Sequence, residues 1–141
     1  MKRFSPVFAL LLALCLALPI QAQATPDLTG LWKAEFYGNQ VECHLEQRGM
    51  FLFGKAVVHT ATGEKNTYTL AGLVLEDGRV RASHGSSGNY FEGAVQGADK
   101  ASGTFHMVKS GHAFAMQAQR VQRGKTYPGG LEWPPGFGPA Q

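Results

Sequence analysis

Residues 30–47 read GLWKAEFYGNQVECHLEQ, and their alternation decides the fold. Trp32, Ala34 and Phe36 share one parity, with Lys33, Glu35 and Tyr37 on the other. After Gly38-Asn39 the pattern resumes as Val41, Cys43 and Leu45 against Glu42, His44 and Glu46. Successive side chains of a strand point to opposite faces, so this period of two, broken by a turn dipeptide, predicts a β-hairpin with an apolar inner face and a solvated outer one. Working outward, short runs rich in Val, Phe, Tyr and Thr are separated by Gly, Asn, Asp and Ser clusters. They predict eight strands: 30–37, 40–47, 51–59, 66–75, 79–84, 89–96, 101–109 and 112–121. No helix-period stretch of useful length interrupts them. Every connection is of hairpin length, so the expected fold is all-β, a small up-and-down antiparallel eight-stranded β-barrel, because closure removes exposed edges. An open sandwich is the other arrangement these strands allow.

The eighth strand continues the inner set with Phe114, Met116, Ala118 and Arg120. Strands three and four are apolar at almost every position, which leaves their parity open. FGKAV at 53–57 is echoed by FEGAV at 91–95 and more faintly by ASGTF at 101–105. Mid-strand glycines of this kind suit a tightly curved small barrel. From Gly124 the chain turns Pro- and Gly-rich, which excludes an inner strand. The expected organisation is therefore a barrel over 25–123 and a tail over 124–141. The tail is either a solvated polyproline-like segment or, through Trp133 and Phe137, a strap docked on the barrel or in a partner's groove.

The 24 residues before the barrel carry Lys2 and Arg3, an apolar run from Val7 to Ile20, and Ala22-Gln23-Ala24, the pattern of a cleaved secretory signal. The expected location is periplasmic or secreted. Pro19 closes an apolar run shorter than the roughly 20 residues a spanning helix needs, so no transmembrane segment is expected after cleavage. Of the 141 residues, those from Thr25 onward carry 11 Lys and Arg against 10 Asp and Glu. This near-neutral balance argues against nucleic acid, whose affinity comes from surplus cationic contacts. Cys43 is then the one remaining cysteine, so no intramolecular disulfide is expected, although a Cys43-linked dimer is conceivable in an oxidising compartment.

Thr29-Gly30-Leu31-Trp32 at the start of the first strand resembles the Gly-x-Trp signature of lipocalins and related calycins. In that superfamily the Trp closes one end of an eight-stranded barrel beneath an Arg from the last strand, and the resemblance implies that role for Trp32 and Arg120. A guanidinium can stack on an indole while its donors satisfy carbonyls. The resemblance also implies a small, mostly apolar ligand held at the opposite, open end.

Up-and-down tracing gathers Gly38-Asn39, Thr60–Lys65, Gly85–Gly88 and Ser110-Gly111 at that open end. Its expected lining is Phe36, Tyr68 and Tyr90, with Cys43 and with His59, His84 and His112 from strand ends. Those three histidines, with Cys43 or Glu92, are the candidates for a transition metal or an iron porphyrin, since neutral imidazole suits Zn, Cu and Fe. No His-x-His or Cys-x-x-Cys pair occurs, so such a site would form only in three dimensions; solvated or carbonyl-capping imidazoles are the plainer reading. Cys43 as a nucleophile would need a cross-strand base, because His44 points the other way; a small buried hydrophobe is its default role. No phosphate loop or dinucleotide fingerprint occurs. Three functions follow: a non-catalytic binding module with its ligand in the barrel mouth, a protein-interaction module such as an inhibitor of an exported hydrolase, and a barrel-rim enzyme.

Overall fold

The computed structural model describes residues 25–139, and the predicted signal segment 1–24 lies outside them. Eight strands follow one another: β1 (Gly30–Phe36), β2 (Asn39–Arg48), β3 (Phe51–His59), β4 (Lys65–Val74), β5 (Arg79–His84), β6 (Tyr90–Gln96), β7 (Lys100–His106) and β8 (Ala113–Arg123). Each pairs antiparallel with its neighbours in sequence and β8 returns to β1. The result is a closed up-and-down barrel, not an open sandwich. Among the described residues there is no helix long and apolar enough to cross a membrane.

The register carries the inner face from strand to strand. Trp32 stands opposite Cys43, Cys43 opposite Ala56, Ala56 opposite Tyr68, Gly72 opposite Ala82, and Ala82 opposite Phe91. Phe91 faces Phe105, Phe105 faces Phe114, and Ala118 closes the circuit on Ala34. Leu28, Trp32, Leu52, Val74 and Val80 form the buried core, with Cys43, Leu45, Val95, Ala101 and Ala118 packed against it. The register of β1 on β8 shifts between Leu31 and Trp32, where Leu31 meets Gln122 but Trp32 meets Arg120. Such a bulge bends a strand and re-aims the side chain beside it, and here Arg120 is the residue aimed inward over Trp32. Across the middle of the barrel, Gly93 and Gly103 face each other. A Cβ on Gly103 would fall on the Glu92 carbonyl oxygen and 2.6 Å from the Gly93 Cα, so this tight approach of β6 and β7 requires glycine.

The tail is a strap. It crosses the outer face of β2 and β3, where Trp133 packs on Phe53 at 5.6 Å and stacks on Phe137 at 5.6 Å, and Phe137 meets Phe51 edge-on at 5.3 Å. Glu46, expected in solvent, is only 4% exposed. The strap covers it, and its carboxylate accepts the Leu131 amide at 2.8 Å and the Trp133 indole N–H at 3.4 Å. The Arg48 guanidinium lies over Trp133, 4.4 Å from the ring centre. This cover explains why β3 is apolar on both parities: Leu52 and Ala56 fill the inside, while Phe53 and Val57 are buried outside.

Candidate functional site: the open mouth of the barrel

The two ends of the barrel are built differently. At the closed end the Trp32 Nε1–H donates to the Leu28 carbonyl at 2.9 Å, and Arg120 Cζ lies 5.3 Å from the centre of the indole. Arg120, with a side chain only 5% exposed, directs Nη1 at the carbonyls of Asp27 (2.7 Å) and Thr29 (3.2 Å). Its Nη2 reaches Ala98 O (2.6 Å) and its Nε reaches Asp99 Oδ1 (2.9 Å). The hydrogen bond from Arg120, then that from Arg123, holds the Asp99 carboxyl below its usual range. Gln47 ties the entering chain to the β2–β3 turn, donating to Pro26 O and Gly49 O and accepting from the Leu28 amide. A planar fork with several donors is what such a set of carbonyls needs.

At the other end the inner face is aromatic and no acidic or cationic side chain stands on it. Phe36 meets Phe114 at 5.1 Å and Phe105 at 5.5 Å, both edge-to-face, and Phe91 and Met116 continue the wall. Across from them Tyr68 and the His84 ring stand perpendicular at 5.0 Å. Of the inward residues of the lower half, Trp32, Leu52, Val74 and Val80 are buried, with Cys43, Leu45, Val95, Ala101 and Ala118 partly buried around them. Phe36, Val41, Val58, Leu70, Phe91, Phe105, Phe114 and Met116 are only half-buried, and Tyr68 is 37% exposed. In a closed barrel an inward side chain meets solvent only through an end. None of the inward apolar side chains of the upper ring is fully buried, so together they outline an open apolar mouth.

The sequence-based candidates divide on this geometry. Phe36, Tyr68 and His84 line the mouth. Cys43 lies deeper against the core, and desolvation pushes its thiol up to about 12. This shift favours the protonated thiol, in keeping with the default reading of Cys43 as a small hydrophobe. His59 and Tyr90 point outward. His59 Nε2 is 4.0 Å from Glu42 on the outer wall, and Tyr90 is sandwiched between Arg81 (4.3 Å) and a stacked His106 (4.5 Å). Their parity was obscured by the doubly apolar β3 and by the adjacent aromatics Tyr90 and Phe91. His112 sits exposed in the β7–β8 loop, 6.0 Å from Phe114, and His44 is engaged by Thr126 of the strap at 2.7 Å.

His84 has both ring nitrogens occupied within its own turn, Nδ1 with Ser87 Oγ at 2.6 Å and Nε2 with Ser86 Oγ at 3.3 Å. Among the described residues no three His, Cys, Asp or Glu side chains come together as a metal-binding group. His59, His84 and His112 are therefore not brought together as one three-ligand metal site. Phe91, Phe105 and Met116 are mouth residues that the sequence reading passed over, although the inward parity of Phe114 at the start of β8 pointed toward them.

The rim has one strained residue. Tyr37 and Gly38 form the two-residue β1–β2 turn with φ of 48° and 74°, the left-handed pair of a type I′ turn. Glycine or asparagine takes this conformation freely, whereas an aromatic residue pays about 1–2 kcal/mol. The Tyr37 ring is 74% exposed yet touches Phe114 at 4.7 Å and Phe36 at 5.2 Å. On the outer wall of β7, β8 and β1 lies a different feature, an open groove of about 730 Å³ lined by Lys33, Glu35, Lys100, Ser102, Gln117 and Gln119 among others. Its polar lining offers nothing to an apolar ligand. Compared with known proteins, the chain matches no family and resembles no curated protein or solved structure at a significant level. The fold and mouth therefore define the protein as a closed eight-stranded antiparallel barrel compatible with a lipocalin-like fold.

Proposed function

We propose that the chain is an exported, non-catalytic binding protein of lipocalin-like type, which holds a small apolar ligand in the open end of its barrel. The observation that carries this reading is the partly exposed inner ring of Phe36, Phe91, Phe105, Phe114 and Met116 above the buried Trp32, Leu52, Val74 and Val80. Apolar side chains left accessible inside a closed wall gain from a ligand that takes their place against water, at roughly 25 cal/mol per Å² covered. The Gly-x-Trp strand start and the Trp32–Arg120 pair support the lipocalin-like affiliation, and residues 1–24 support export.

The test is a titration of the mature chain with N-phenyl-1-naphthylamine, whose emission rises and shifts to the blue in apolar surroundings. The expected result is saturable 1:1 enhancement that Phe105→Glu abolishes while the strand circular dichroism is retained. Absence of enhancement, or enhancement indifferent to Phe105→Glu, contradicts the proposal and turns attention to a protein partner.

A further inference from the structure

We infer that the open rim is a lipid-contact surface, through which the barrel takes up its apolar ligand by brief collision with a bilayer; this rests on the mouth being a ligand site. The first observation is a segregation of charge. The four rim loops, residues 37–38, 60–64, 85–89 and 107–112, carry Glu64 and Lys109 as their only acidic or cationic side chains, His112 aside. The loops of the opposite end, 49–50, 75–78 and 97–99, carry Glu76, Asp77 and Asp99 in half as many residues, and the adjoining strand ends add Arg48, Arg79, Lys100 and Arg123, against Lys65 at the rim. The second is the placement of apolar side chains. Tyr37, at 74% exposure, and Val108, at 52%, project from that sparsely charged rim.

Both residues sit on braced loops. Asn39 Oδ1 accepts the Ala61 amide at 3.4 Å, joining the β1–β2 and β3–β4 loops, and Asn89 Oδ1 accepts the Val108 amide at 3.1 Å, joining the β5–β6 and β7–β8 loops. The third observation is continuity. Tyr37, Phe114, Phe36 and Phe105 touch in sequence at 4.7, 5.1 and 5.5 Å, so one aromatic path runs from the rim to the mouth interior.

Tyrosine is at home at a membrane–water interface, with its ring among acyl chains and its hydroxyl in the headgroups. Two apolar side chains set among small polar Ser, Thr and Asn residues fall short of the roughly 800 Å² per partner of a stable protein interface and suit a brief contact with a headgroup layer. Two side chains supply too little apolar area for stable anchoring, so the contact is transient, and the near-absence of rim charge makes it indifferent to salt.

The experiment follows a pyrene-labelled fatty alcohol passing from phosphatidylcholine vesicles to the full mature chain, with loss of excimer emission read by stopped flow. The expected transfer rate rises linearly with vesicle concentration and is unchanged between 0.1 and 1 M salt, values on either side of strong screening at about 10 and 3 Å Debye length. The double variant Tyr37→Ser, Val108→Ser lowers it about tenfold or more, as loss of two interfacial apolar groups demands. Tyr37→Phe keeps the rate, and both variants keep the equilibrium amount bound and cooperative unfolding. A rate independent of vesicle concentration, or one indifferent to the double variant, overturns the inference while leaving the ligand site standing. A wild-type barrel that takes up no probe even at equilibrium overturns both.

Discussion

At one end of this barrel a tryptophan and an arginine are buried among the backbone carbonyls that Arg120 and Trp32 bond. At the other end a ring of phenylalanines stands partly exposed. The strands are the same, so the difference lies in what each strand carries above and below its middle. Core aliphatics and the Arg120 fork serve rigidity below, and aromatic rings without polar partners keep a surface available above. On the proposed reading stability and binding are separated along the barrel axis, and substitutions at the two ends should differ in size and in kind.

The largest effect belongs to the closed end. Trp32→Ala removes a fully buried indole and should destabilise by about 3–5 kcal/mol, whereas Phe105→Ala, taken from a half-exposed site, should cost about 1–2 kcal/mol. Denaturant unfolding of both variants checks this, and equal losses would mean that the mouth is simply core. Next comes the strap. Removing residues 125–141 uncovers Phe53 and Glu46 and should cost about 2–4 kcal/mol, the apolar burial less the entropy of ordering the tail, with unfolding still cooperative. A chain that no longer folds would make the strap an integral part of the core.

A smaller effect appears only in acid. Asp99 has a folded pKa below its unfolded value of about 3.9, so its contribution is present above that value and is lost as pH falls through the folded one. Melting of the wild type and Asp99→Asn should differ at neutral pH and converge below about pH 4; a constant gap would assign the effect to packing. Smallest is Tyr37→Asn, where relief of the left-handed backbone offsets loss of the Phe114 contact. Stability should move by less than about 1 kcal/mol in melts, and a large loss would make Tyr37 structural.

The legible part of the molecule is the part where each strand has one dry and one wet face. The alternation in β1, β2 and β8 yields the hairpin, the inner set and the Trp32–Arg120 pair without ambiguity, and the closed antiparallel order follows from short connections. β3 resists the same reading because a strap from 85 residues away along the chain dries its outer face, and local periodicity holds no trace of such a contact. Glu46 is misread for that reason, since an acid on the outer parity signals solvent unless something covers it. Around the mouth, Tyr90 and Phe91 are neighbours of equal aromatic character, and only the register that sets Phe91 against Phe105 tells which one faces in. The histidines share one half of the barrel yet divide between its inside, its outside and its loops, a division sequence position does not encode.

The central claim is that the open end is a ligand mouth and not an unfinished core. Native mass spectrometry of the protein taken from its own cell envelope, compared with the same sample after denaturation, tests it most directly. The account predicts a barrel heavier than its polypeptide by one apolar organic molecule, which denaturation releases and which Phe105→Glu prevents from binding. A barrel of bare polypeptide mass, or one carrying a second polypeptide in place of a small molecule, would contradict it.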